Sequence, residues 1–308
     1  MSQAHLRGFG RYVPERVVTN AEIASQLDCD PAWIVQMSGI HERRWADPSE
    51  TVASLGMRAA HDCLARAGVG AREVDLILVA SGSAERRFPG PAAAVGAGLD
   101  LAGVPAIDLP LASAGSLFGM ALAARLCGGY RNILVVGAEI MSRAISLEPA
   151  CRDTAILFGD GAGACLVGSE TGFARITDAL LGSDGGFSDA LRLELSGPIQ
   201  MNGQAVIMQA LRKVPRAITE LLERNRKQAA QIAVYLMHQA NRNLITRTAK
   251  SLGVPEEKFF LNVDRYGNTS SASLLIAAAE WWDGGPARSP MLFAAFGAGF
   301  HWGTVLAE

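Results

Sequence analysis

Apolar, β-branched runs alternate along this chain with Ala- and Leu-rich amphipathic stretches, and that alternation admits few folds. A short apolar run suits a strand buried on both faces, and the amphipathic stretch that follows suits a helix covering it. The spacing predicts strands over residues 74–78, 133–136, 164–167, 232–237 and 291–295. It predicts helices over 51–67, 92–101, 116–127, 205–226, 242–252 and 271–281. The expected class is α/β, with parallel sheets between helical layers.

A chain of 308 residues exceeds the size at which one core keeps growing, so two α/β halves are expected, over 1–168 and 169–308. The halves echo one another weakly. Residues 75–81 and 233–239 are both apolar strands ending in polar atoms. Residues 112–116 and 267–271 are both small polar turns that open an Ala-rich helix, which pairs Ser113 with Asn268. The stretch 182–202, with Gly185, Gly186 and Pro198, reads as a long connection between the halves, and such loops are often functional.

A net charge of −2 with interspersed charges gives no basic footprint for nucleic acid. The amino terminus lacks the charged and apolar regions of a secretory leader, and no apolar stretch is long enough to span a bilayer, so the expected location is cytoplasmic. Five cysteines without paired or metal-ligand spacing read as reduced thiols, Cys127 and Cys165 as buried and inert, with no metal site. Residues 158–164 are glycine-rich but lack the lysine and Ser/Thr of a nucleotide-binding loop, and read as packing glycines at the join of the halves.

Ser113 opens a helix, where unpaired N–H groups favour a nearby anion. Alone it is an ordinary capping serine. As a nucleophile its hydroxyl needs a base, and His238, at the end of a strand, is the available group. Asn268, in Gly-Asn, suits a turn by itself.

Taken together, segments 108–115, 238–241 (His-Gln-Ala-Asn), 264–273 and 296–303 resemble the β-ketoacyl-acyl-carrier-protein synthase III family of thiolase-like condensing enzymes. The resemblance implies a thiolase-like fold of two pseudo-duplicated halves layered αβαβα. It also implies acyl transfer from acyl-CoA, a substrate and not a resident cofactor, followed by decarboxylative condensation with malonyl-acyl-carrier protein. Ser113 stands at the nucleophile position, normally cysteine, with His238 and Asn268 as donors to the malonyl thioester. Backbone N–H groups of Ser113 and Ala298 are expected to serve the second oxyanion. Trp33, Arg152 and Asn241 fall at coenzyme A contacts, and Phe88 where a homodimer partner's acyl pocket is capped.

Departures accompany the serine. Met37 replaces an arginine, Met208 a lysine, Asn243 follows Arg242, and Ala298 interrupts a glycine run. Arg212, Lys213, Arg242, Arg247 and Lys250 are left as a basic patch for a carrier protein. Four readings stay open: a condensing enzyme with a native serine, a non-condensing acyltransferase using a Ser113 ester, a Cys-to-Ser variant, and a non-catalytic partner subunit.

Overall fold

A computed structural model describes residues 4–283 and 289–308. The first three residues of the stretch read for a leader, Met1–Gln3, lie outside the described residues. Its principal strands are β1 (Ala4–Tyr12), β2 (Leu76–Ala80), β3 (Ala106–Leu109), β4 (Asn132–Ile140), β5 (Asp160–Gly168), β6 (Ala174–Ser183), β7 (Val234–Met237), β8 (Met291–Gly297) and β9 (His301–Ala307). They hydrogen-bond in the order β7-β8-β9-β6-β1-β5-β4-β2-β3.

The order is a duplication. Numbered by appearance, β3-β2-β4-β5-β1 runs third, second, fourth, fifth, first. The second half repeats it as β7-β8-β9-β6, with Phe259, bridged in parallel to Tyr235, at the third place. In each half the second and fourth strands are parallel and the fourth and fifth antiparallel. The half-sheets join where Ala4–Leu6 of β1 pairs with 174–176 of β6. The connection 182–202 therefore lies inside the second half, not between the halves: the chain crosses over at 169–173, between β5 and β6.

Six helices bury the sheet: α1 (Val52–Ala67), α2 (Pro91–Gly98), α3 (Gly115–Leu126), α4 (Gly203–Arg224), α5 (Arg242–Leu252) and α6 (Ser273–Asp283). Side chains alternate across each strand, so each half-sheet feeds the shared central core on one face and an outer core on the other. Leu76, Leu78, Val135, Leu236 and Phe293 point at α3 and α6 in the central core. Ile77, Val79 and Leu134 face α1 and α2, whereas Tyr235, Leu292 and Leu306 face α4 and α5. The layering is αβαβα. Each fully buried aliphatic side chain contributes roughly 1.5–3 kcal/mol, so a charged residue at Leu236 would break the central layer.

Strand β1 is absent from the predicted strands because Arg7, Gly8, Gly10 and Arg11 interrupt its apolar pattern. Gly10 is required by a neighbour: a Cβ there would stand 2.1 Å from the Cys63 backbone nitrogen of α1. Helix α1 itself starts on a reciprocal cap between Thr51 and Ser54 and stops at Gly68, φ 63°.

Candidate active site

Ser113 lies between β3 and α3 with φ 60°, a left-handed conformation uncommon outside glycine. The Ala114 N–H donates to Ala112 O at 2.6 Å across it, closing a tight turn. Such a residue costs about 1–3 kcal/mol and persists only where its surroundings over-determine it. Here they do. A Cβ on Gly297, at the end of β8, would stand 2.6 Å from Ser113 Cβ, and one on Gly82 would stand 2.7 Å from Ala112 Cβ. The Ser113 N–H donates to Ser270 Oγ at 3.0 Å.

Ser270 is the counterpart of Ser113 in the second half, with φ 48° just before α6. The repeat read from the sequence is thus displaced: Ser113 matches Ser270, not Asn268. The bond to Ser270 also bears on the second oxyanion site. The Ser113 N–H, expected to face an oxyanion, is engaged by Ser270 Oγ, while Ala298 lies in the wall of the same cavity.

His238 follows β7, its N–H donating to Ala294 O at 2.9 Å. Its Nδ1 lies 2.5 Å from Ser273 Oγ, and the same oxygen accepts the Gln239 N–H at 3.0 Å. The Gln239 N–H takes one lone pair of that oxygen, and Nδ1 is the one acceptor bonded to it among the described residues, so the hydroxyl proton is assigned to Nδ1. Nε2 then carries the imidazole proton. Burial pushes the His238 pKa down to about 4, so the ring is neutral near pH 7. With that tautomer Nε2 is a donor, where the base expected for Ser113 would accept.

Asn268 is fixed by its backbone and its side chain. Its N–H donates to Leu157 O at 2.8 Å, and its carbonyl accepts the Gly159 N–H at 3.1 Å. The glycine-rich segment 158–164 thus does more than pack: it seats Asn268, while Gly163 lets Leu275 of α6 approach. Asn268 Oδ1 accepts the Ser270 N–H at 2.9 Å, leaving the amide nitrogen as the cavity donor.

Ser113, His238, Asn268 and Ala298 line one cavity of about 120 Å³. Leu157, Phe158 and Phe296 form apolar wall, and segment 182–202 supplies Leu191, Leu193 and Ile199. Asn241 also lines it, caps α5 by accepting the Asn243 N–H at 2.8 Å, and donates to Met37 O at 3.0 Å. Trp33 and Arg152 meet outside this wall, the guanidinium carbon 5.3 Å from the ring centroid. Phe88 is 85% exposed and away from the cavity of its own chain. Of the basic patch, Lys213 is turned inward onto Asp184 at 2.8 Å and over Trp302 at 4.0 Å, which removes it from a docking face. Arg212, Arg242, Arg247 and Lys250 are exposed.

Glu139 went unnoticed in the sequence. It ends the apolar strand β4, is fully buried, and accepts hydrogen bonds from both halves. The only signal was a lone acidic residue in a run that otherwise reads as core. Burial raises the thiols of Cys63, to about 12, and Cys127, to about 11, and lifts Cys165 well above its ordinary value, in keeping with inert cysteines. Among the described residues, no metal-ligating cluster occurs and no helix is long and apolar enough to cross a membrane.

Residues 107–185 match the family description "3-Oxoacyl-[acyl-carrier-protein (ACP)] synthase III", and 222–308 match its C-terminal counterpart. A β-ketoacyl-[acyl-carrier-protein] synthase III of Oleidesulfovibrio alaskensis is 35% identical, the match covering 99% of this chain and 98% of that protein. The crystal structure of 3-oxoacyl-[acyl-carrier-protein] synthase III from Aquifex aeolicus superposes with a TM-score of 0.95 at 34% identity, over 99% of each chain. The priming β-ketosynthase of the R1128 polyketide pathway gives 0.92 at 32% identity, over 99% of this chain and 96% of that one. With the duplicated fold and the Ser113–His238–Asn268 site, these similarities mean that the chain belongs to the 3-oxoacyl-[acyl-carrier-protein] synthase III family.

Proposed function

We propose that this chain is a priming condensing enzyme. An acyl group passes from coenzyme A to Ser113, and a malonyl unit on an acyl carrier protein then loses carbon dioxide and attacks it, giving a β-ketoacyl product. The observation that carries the reading is the pair of fixed donors, His238 Nε2–H and the Asn268 amide, at one cavity with Ser113. Two donors on one thioester oxygen stabilise an enolate, and losing one such donor costs about 10²–10³ in rate.

No base is assigned to the Ser113 proton: His238 Nδ1 takes the Ser273 hydroxyl, and the Asn268 amide oxygen, already bonded by the Ser270 N–H, is too weakly basic to remove it. In the acylation step the serine oxygen bonds to the acyl carbon and the carbon–sulfur bond breaks. The serine proton passes to the departing thiolate, which leaves as coenzyme A. In the second step the enolate carbon bonds to the acyl carbon, the ester C–O bond breaks, and the serine oxygen recovers a proton from water.

Cavities of about 150 Å³ hold benzene, so one of about 120 Å³ suits a short acyl chain. Coenzyme A is substrate here, and no resident cofactor is needed. Trp33, Arg152 and Asn241 are read as its contacts, the exposed Arg212, Arg242, Arg247 and Lys250 as the carrier-protein face, and the cytoplasm as the setting. A homodimer is supported by the exposed Phe88 beside edge strand β3, whose Ile107 is 47% exposed; sedimentation that finds only monomer would remove it.

The decisive experiment supplies short acyl-CoA and malonyl-acyl-carrier protein, with products and intact protein read by mass spectrometry. The parent should carry an ester on Ser113 and form β-ketoacyl product. Ser113→Ala should lose both and keep malonyl decarboxylation. Undiminished product in Ser113→Ala would overturn the reading.

A further inference from the structure

Glu139 stands at the end of β4 with no basic side chain paired to it among the described residues. Its carboxylate instead gathers two loops from opposite halves of the molecule. From the first half come Ser81 Oγ at 3.2 Å, Gly82 N at 3.0 Å, Ser83 N at 2.9 Å and Ser83 Oγ at 2.5 Å. From the second come Ser270 Oγ at 2.9 Å, Ser271 N at 3.3 Å and Ser271 Oγ at 2.8 Å. The approach is close enough that a Cβ on Gly137 of the same strand would lie 2.3 Å from Ser271 O.

One of these bonds leads to the active site. Ser270 Oγ donates its proton to Glu139 Oε1, so its lone pairs face away from the carboxylate, and one receives the Ser113 N–H at 3.0 Å. The hydroxyl orientation is therefore set by Glu139, and the Ser113 amide follows the hydroxyl. Both Ser113 and Ser270 are left-handed non-glycine residues, the conformation that needs outside support. Glu139 does not itself line the cavity or touch Ser113; it holds two residues that do line it, Gly82, packed against Ala112, and Ser270, whose hydroxyl oxygen bonds the Ser113 N–H directly.

We propose that Glu139 is a positioning residue for Ser113: acting through the Ser270 hydroxyl, it fixes the turn that aims the Ser113 side chain into the cavity. The functional weight of this relay rests on the reading of Ser113 as the acylated group, but its geometry can be tested without any acyl donor. Neither of two substitutions along the relay removes an apolar contact of the core. Glu139→Gln keeps the shape and replaces one acceptor oxygen by a donor that faces donors. Ser270→Ala deletes the middle of the relay and leaves Glu139 with its other partners.

The test uses the full chain carrying Ser113→Cys, with alkylation of the introduced thiol by iodoacetamide followed by peptide mass spectrometry. Cys151, half-buried and remote from the relay, is the internal reference in each sample. Glu139→Gln and Ser270→Ala, each added to Ser113→Cys, should slow alkylation of the thiol by about tenfold, the order expected when a reacting group is displaced by a fraction of an ångström. The rate at Cys151 should not change. Combining the two should slow the reaction no further, because both break one chain of contacts. Rates within twofold of the Ser113→Cys parent would overturn the proposal, as would effects that multiply in the combination. If Glu139→Gln does not fold, Ser270→Ala alone decides by the same criterion. Slowed alkylation alongside an unacylated Ser113 in the parent chain would leave the relay standing and refute the proposed acyl transfer instead.

Discussion

Replacing Ser273 by alanine tests the division of labour at His238. The hydroxyl sits 2.5 Å from Nδ1 and holds the proton on Nε2, where it points into the cavity. Ser273→Ala removes one neutral hydrogen bond that favours that tautomer. Such a bond has a net value of about 1 kcal/mol, or roughly a factor of five in an equilibrium. The malonyl decarboxylation rate should fall by about that factor, measured as carbon dioxide release, with little change in KM because the malonyl thioester is not otherwise touched. Acylation of Ser113 should not fall, since the ring that loses its fixed donor gains the capacity to accept a proton at Nε2. Proton-detected nitrogen NMR of labelled histidine gives the direct readout: the proton of His238 should be on Nε2 in the parent. A proton found on Nδ1 in the parent, or decarboxylation unchanged in Ser273→Ala, would refute the reasoning.

The pKa of His238, depressed by burial to about 4 from the ordinary 6.5 of an imidazole, makes the fold acid-sensitive. Above pH 6.5 both folded and unfolded states hold the ring neutral; below it only the unfolded state gains the proton, so stability falls as pH drops toward 4. Between pH 7 and 5 the loss from this group should be roughly 2 kcal/mol, and His238→Asn should show a denaturant midpoint correspondingly less sensitive over that interval; equal sensitivity in the two proteins would count against it. Gly297→Ala would place a methyl group 2.6 Å from Ser113 Cβ and from the Ala112 carbonyl oxygen, so the turn must shift. Ester formation on Ser113 should drop by about 10²-fold while the melting temperature moves little, and normal acylation would show that the turn is looser than described.

Much of this site was legible because its chemistry is local. Ser113, His238 and Asn268 each sit in a short run whose neighbours fix the turn, and the apolar run 232–237 located the strand that ends at His238, whereas β3 before Ser113 was not among the predicted strands. What escaped reading depends on atoms distant in the chain. Glu139 looked like an interruption of β4, and its meaning comes from Ser270 and Ser271, 131 and 132 residues away. The role of His238 turned on the Ser273 hydroxyl, which no spacing rule connects to it. The displaced repeat has the same cause: aligning the two small polar turns by their place before an Ala-rich helix paired Ser113 with Asn268, whereas backbone handedness pairs it with Ser270. Strand β1 was hidden because its glycines serve contact with α1 instead of apolar burial.

The crossed serines also constrain how the molecule can be taken apart. Each half brings one left-handed turn, and the amide of the first is answered by a hydroxyl of the second. A fragment ending at Gly168 would contain Ser113 and Glu139 yet lack Ser270, so its nucleophile would be present but unseated. Cut between Gly168 and Ala174, the two pieces could be chemically competent only after finding each other again.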